Sequence, residues 1–203
     1  MIIEFSIKNF RSIKDEQTIS FEATNSKELE QYLVFEPSLA YPKKTPLRLL
    51  KLNFIYGANG SGKSTIIDSF KVLDSLLRKP AKDKDEKISF ITPFKFDEIT
   101  KNQPSIFKIS FIAQDKIVYH YEVVVTKDYI VEEILYSTAP GKGIVFHRTT
   151  DPEKKISIID IKNRAQMKND DKNTLSNSTL WNSTVIATYS NLNIESTVLD
   201  AIV

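Results

Sequence analysis

No cysteine occurs among the 203 residues, so disulfides, thiolate metal sites and a cysteine nucleophile are excluded. His120 and His147 are the only histidines, too few for a His-rich metal cluster. No apolar run approaches the ~18 residues a membrane-spanning helix needs. The opening MIIEFSIKNFRS carries Glu4, Lys8 and Arg11 inside any would-be apolar stretch, which a signal peptide does not tolerate. A soluble, cytoplasmic protein with no membrane contact is the expectation. The sequons at Asn177 and Asn182 then carry no meaning, because glycosylation needs a secretory route. A net charge of +2 is too balanced to argue for nucleic acid or an anionic membrane by bulk electrostatics.

Glycine is scarce as well, and its placement is informative. Of five glycines, Gly57, Gly60 and Gly62 fall within one short stretch. Glycine lets backbone N–H groups approach a ligand closely, so a glycine-poor chain has concentrated that property at one place. The remainder, 41% hydrophobic and 27% charged, suits a packed core.

Alternating Ile3, Phe5 and Ile7 predict a strand over residues 2–10, and Ile19 with Phe21 a second over 17–23. Residues 39–50 read as a loop. The apolar run 51–56 reads as a short strand leading into the glycines. Helical spacing of Ile66, Phe70, Leu73 and Leu77 predicts a helix over 63–79, stopped by Pro80. Residues 81–87 read as a charged, solvated connector. Five successive strands then follow, over 107–113, 116–126, 129–137, 143–148 and 155–161, with short polar turns between them: an antiparallel meander. Residues 163–178 are polar and read as a loop or mobile segment, and 179–203 as weakly patterned helix. The chain closes on the apolar run Val198, Leu199, Ala201, Ile202 and Val203. An uncapped apolar end suggests a fragment or a lobe completed elsewhere.

Gly57-Ala58-Asn59-Gly60-Ser61-Gly62-Lys63-Ser64 fits G-x-x-x-x-G-K-[ST] without a mismatch, between a predicted strand and a predicted helix. Backbone N–H groups of Asn59, Gly60, Ser61 and Gly62 can wrap a phosphate, and the helix N-terminus adds partial positive charge. Lys63 supplies a full charge to the β and γ phosphates, Ser64 offers a hydroxyl to Mg²⁺, and Thr65 can contact the α phosphate. ATP with Mg²⁺ is the expected ligand.

Hydrolysis also needs a carboxylate on the metal shell. The pairs Asp15-Glu16, Asp85-Glu86 and Asp97-Glu98 each lack an uninterrupted apolar strand before them. The run Ile156 to Asp160 is the best remaining match, with Ile161 where a glutamate would stand. A GTPase D-x-x-G fails, because no glycine has an aspartate three residues before it.

The loop GANGSGKST, together with Asn9-Phe10-Arg11-Ser12, resembles the N-terminal lobe of SMC/RecF-like ABC-class ATPases. Within that class it is most similar to bacterial AAA-type, OLD-like ATP-binding proteins. These share an "ISFEA" segment, here residues 19–23, and a meander pattern matched by Tyr119, Tyr121, Ile130, Glu133, Leu135, Tyr136 and Arg148. The resemblance implies an α/β P-loop lobe with a mixed sheet, one nucleotide helix and an antiparallel β subdomain, spanning residues 1–162. Residues 163–203 would be a polar linker and the start of a helical segment. It places Arg11 and Ser12 near the nucleotide. It also implies a second lobe with the Walker B and signature elements that this sequence lacks, and so hydrolysis by the complete protein with little or none by this chain alone. A homodimer, or a C-terminal-lobe or nuclease partner, would complete the site, by analogy within antiphage or DNA-maintenance systems. The alternative is an assembly module gated by ATP without turnover. DNA is a weaker expectation, resting on Lys43, Lys44, Arg48 and Lys51.

Overall fold

The alternating pattern of the first residues does form a strand in the computed structural model, which describes residues 1–41 and 45–203. β1 (Ile2–Lys8) buries Ile3, Phe5 and Ile7 and pairs antiparallel with β2 (Gln17–Ser20) through a tight hairpin. A short helix α1 (Glu30–Leu33) and the two-residue strands β3 (Val34–Phe35) and β4 (Leu49–Leu50) follow as a small separate ladder. Next comes the long helix α2 (Lys63–Arg78).

The meander is β5 (Ser105–Ile112), β6 (Val118–Val125), β7 (Ile130–Ser137), β8 (Gly143–Asp151) and β9 (Ile156–Ile161). β1 docks on β5, which gives a 7-stranded sheet in the order β2-β1-β5-β6-β7-β8-β9. The chain is α/β, and every described pairing in this sheet is antiparallel rather than mixed.

One face of the sheet is apolar and α2 lies on it. Thr65, Ser69, Val72, Leu73 and Leu76 turn inward at helical spacing, while Lys71 and Arg78 stay outside. Phe70 stacks on Phe5 with ring centroids 4.0 Å apart, fixing the helix over β1.

Two sequence expectations change here. Residues 52–56 do not form a strand. Pairing stops at Leu50, and Leu52, Phe54, Ile55 and Tyr56 are exposed, Tyr56 at 85%. An apolar run signals a strand only if a neighbouring strand accepts its backbone bonds, and none does among the described residues. Residues 163–178, read as loop, instead contain a 3₁₀ turn and the helix α3 (Asn169–Ser178), whose buried Leu175 anchors an otherwise polar sequence. The stretch 181–189, including α4 (Val185–Tyr189), is buried throughout and joins the main core. In α5 (Thr197–Asp200), Val198 and Leu199 are buried, so the terminal apolar run is not a bare face at those positions. Among the described residues, no helix is long and apolar enough to cross a membrane.

Candidate functional site

The glycine loop lies between the unpaired segment 52–56 and the first turn of α2. Gly60 and Gly62 have φ of 82° and 92°, a region that side-chain-bearing residues adopt only with strain. A Cβ on Gly57 would stand 2.7 Å from Ser61 Oγ, so the loop packs closely on itself there and a larger residue would make the Ser61 side chain turn away. Gly62 caps α2 without any side-chain hydrogen bond. The first N–H groups of a helix have no intrahelical acceptor. Here they open toward the loop and are available to an anion.

Lys63 folds back over this loop. Its Nζ donates to the carbonyls of Gly57 and Ala58, both at 2.7 Å, and sits 3.4 Å from Ser61 Oγ. A full cation is thus centred on the loop, held by neutral acceptors that a phosphate oxygen outcompetes. Ser64 is exposed. Thr65 is buried and its Oγ1 lies 2.7 Å from Ser12 Oγ, so its hydroxyl is shared with the β1–β2 hairpin. The donor set therefore fits a polyphosphate: glycines that admit backbone N–H groups, a helix start, one lysine and a helix-borne hydroxyl suited to a hard cation.

The hairpin wall is built with care. Asn9 and Arg11 both adopt positive φ, 54° and 49°. Such strain persists only where surroundings over-determine it, and Asn9 is so held. Its Nδ2 donates to the carbonyls of Thr100, Gln103 and Pro104 at 2.8–3.1 Å, and its Oδ1 accepts from Phe94 N–H at 3.0 Å. Its own carbonyl accepts from Ser105 Oγ at 2.6 Å. The Arg11 N–H donates to Thr92 O at 2.7 Å. Ser12 Oγ comes within 3.5 Å of where a Cβ on Gly62 would lie. Arg11 extends along α2 and pairs with Asp68, which also receives Lys71 at 3.4 Å. The Arg11 guanidinium, helped by Lys71, holds the Asp68 carboxyl below the ordinary carboxylate range. Ser12 thus stands beside the loop, and Arg11 lies farther along α2 at Asp68. Asn9 and Asp68 shape their positions; Asn9 entered the sequence reading only as part of the Asn9-Phe10-Arg11-Ser12 motif, and Asp68 not at all. For Asn9 a signal existed, since asparagine tolerates left-handed backbone better than other side-chain residues.

The acidic candidates lie elsewhere. Asp160 is on β9, the edge of the sheet opposite the hairpin, and pairs with Lys162 at 2.5 Å. Five strand spacings separate β9 from β1, roughly 24 Å. Glu16 pairs with Lys108, Asp85 with Lys155 and Asp97 with Lys14. Asp97 also accepts from the N–H groups of Ile99 and Thr100. Of the basic patch, Lys43 and Lys44 lie outside the described residues. Arg48 is tied inward, to Glu30 and to Thr24 O at 2.6 Å. Lys51 donates to Gln31 O at 3.4 Å.

Four of the meander residues that carry the resemblance, Tyr121, Ile130, Glu133 and Arg148, meet in a buried cluster, while Tyr119 bonds Asp115 and Tyr136 stacks on His120. Tyr121 donates to Glu133 at 3.0 Å, and Glu133 also accepts from Val185 N–H at 2.8 Å. Arg148 donates to the carbonyls of Ile130 (3.2 Å), Leu180 (3.2 Å) and Trp181 (2.7 Å), and to Ser157 Oγ (3.0 Å). Tyr121, Glu133 and Arg148 are all buried. Burial pushes the Glu133 carboxyl up, against the pull of Arg148, and lowers Arg148 to about 10. These residues fasten segment 180–186 to the sheet.

A family model described as "AAA domain, putative AbiEii toxin, Type IV TA system" matches residues 52–198, well over half of the chain. The match begins just before the glycine loop and runs through the meander into α5. No curated protein matches the chain.

Proposed function

The chain belongs to this AAA domain family, and from that premise we propose that it is the ATP-binding lobe of an ABC/SMC-like P-loop ATPase. The observation that carries the proposal is the loop itself: a complete phosphate-binding sequence, closed by Gly57, with Lys63 centred over it and α2 opening behind it. In this reading the N–H groups of residues 59–62 and of the first turn of α2 bind the β phosphate. Lys63 leaves the carbonyls of Gly57 and Ala58 for the β and γ phosphates. Ser64 would hold Mg²⁺, which when bound neutralises charge on the phosphate oxygens. Thr65 contacts the α phosphate, oriented by its bond to Ser12. Arg11 and Ser12 form the opposite wall.

Hydrolysis in this proposal needs a metal-shell carboxylate and signature elements supplied in cis or by a partner, either a second copy or a C-terminal-lobe or nuclease chain. Each Asp-Glu pair of this chain having a local ion-pair partner supports that reading. The same observation favours a second reading, in which ATP gates assembly without turnover. The family's description names a toxin of a type IV toxin–antitoxin system. An antiphage or DNA-maintenance role in the cytoplasm is consistent with that description.

Calorimetry with ATP and Mg²⁺ on the wild type and on Lys63→Ala, with phosphate release assayed in the same samples, is the test. Binding that weakens at least about tenfold in Lys63→Ala, the size of one lost charge-assisted bond, supports the site. No binding to the wild type sinks it. Phosphate release by the chain alone removes both the need for a partner and the gating alternative.

A further inference from the structure

Arg11 pairs with an acid on α2 rather than with the glycine loop. Its backbone is fixed by the hydrogen bond to Thr92 O and by the left-handed turn that Asn9 holds in place. Its neighbour Ser12 touches Thr65 and the approach to Gly62. The side chain runs to Asp68. Asp68 lies four residues after Ser64, so the two share a helix face about 6 Å apart along the axis. The Arg11 guanidinium therefore lies on the helix face that carries Ser64 about one turn nearer the loop.

We propose that Asp68 is a positioning residue that holds Arg11 against α2 and competes with the triphosphate for its guanidinium. The proposal rests on the nucleotide reading above. The competition is between one carboxylate, already shared with Lys71, and a polyanion that presents several oxygens. Arg11 is 41% exposed and its pairing with Asp68 is screened by solvent, so exchange of partner costs little. The rigid part of the device is the hairpin backbone and the mobile part is one side chain. On binding, Arg11 passes to the phosphates and Asp68 retains Lys71. The Arg11–Asp68 contact then depends on whether the loop is filled, while Ser12 on Thr65 and Phe5 on Phe70 hold the hairpin and β1 to α2 in either state.

The test is a titration of a fluorescent ATP analogue, with Mg²⁺, into the full chain and into Asp68→Asn, Arg11→Ala, the double variant, Lys71→Ala and Lys63→Ala. Asp68→Asn is expected to tighten binding about threefold to fivefold while Arg11 is present, and to have little effect when Arg11 is alanine. Lys71→Ala is expected to leave affinity within about twofold. Equal tightening with and without Arg11 would mean only that a nearby negative charge had been removed, and overturns the proposal. Unchanged or weakened binding in Asp68→Asn also overturns it. If wild type and Lys63→Ala bind equally, or neither binds, the nucleotide reading itself has failed. If Lys63→Ala weakens binding and the Arg11–Asp68 coupling is zero, the inference alone has failed.

Discussion

The phosphate-loop shoulder and the cluster around Arg148 both gather charged and polar groups, but they hold them differently. At the shoulder, Lys63 rests on two carbonyls of its own loop, Arg11 rests on an accessible carboxylate, and the backbone of 52–56 finds no strand. Every contact there is replaceable by solvent or an anion at small cost. Around Arg148, a fully buried guanidinium faces three carbonyls and a hydroxyl, and a fully buried carboxylate faces a tyrosine and a helix N-terminus. Nothing there can leave without stranding a partner in the core. The comparison separates polar groups placed to exchange partners from polar groups placed to stay.

The largest expected effect breaks the fixed side. Arg148→Met leaves Glu133 buried without its counter-charge and should destabilise the fold by about 3–5 kcal/mol, read as a lower midpoint in urea unfolding. Adding Glu133→Leu should recover much of that loss. No recovery would mean that Arg148 matters for its carbonyl contacts alone. Gly62→Ala probes the exchangeable side. An alanine forced to φ of 92° costs about 1–2 kcal/mol of local strain, so stability should fall modestly while nucleotide binding is lost. Binding at wild-type affinity would show that the loop conformation is not what ligand requires.

The third effect is one of pH, on the hairpin's support. Asp97 is held down to about 2 by Lys14 and by the N–H groups of Thr100 and Ile99. A carboxyl lowered in the folded state stabilises above its unfolded value near 4, and that contribution disappears as pH falls toward 2. Asp97→Asn should therefore flatten the dependence of unfolding midpoint on pH between about 4 and 2, and an unchanged slope would assign the acid sensitivity to other groups. Smallest is Tyr56→Ser, expected to change stability by less than ~0.5 kcal/mol because the ring is already in solvent beside Phe54. A larger loss would place Tyr56 in an interface within this fold.

Much of the architecture was legible because it follows local rules. The period-2 pattern locates β5 to β9 within a few residues, and the glycine loop followed by Ile66, Phe70 and Leu73 locates α2. Segment 52–56 was misread because hydrophobicity reports burial potential and says nothing of whether a partner strand exists. Helix α3 was missed because its order comes from Leu175 packing on the sheet side of a chain otherwise made of Asn, Asp, Lys, Thr and Ser. Arg148 follows Phe146 at a spacing of two, on the inward register of β8, and that alternation was the readable sign of its burial. Its acceptors come from residues 130, 180 and 181, which no local pattern connects. At the site, the loop was complete in the sequence. Asp68 was hidden, since a lone aspartate on a helix surface gives no signal until the hairpin is folded against it.

Helix α2 is held along its length, but by unequal fastenings. Thr184 Oγ1 donates to Leu76 O at 2.7 Å near its last turn, tying it to the segment that Glu133 and Arg148 fasten, while its first turn carries the loop and is held by Thr65 on Ser12. Its 16 residues make a beam about 24 Å long, pinned near the middle by Phe70 on Phe5 and loaded at the tip. A sideways shift of about 1 Å at Gly62 tilts the whole beam by only about 2–3° over that length. Amide exchange should accordingly slow from Lys63 toward Leu76, and uniform protection would mean that the two ends are held equally firmly.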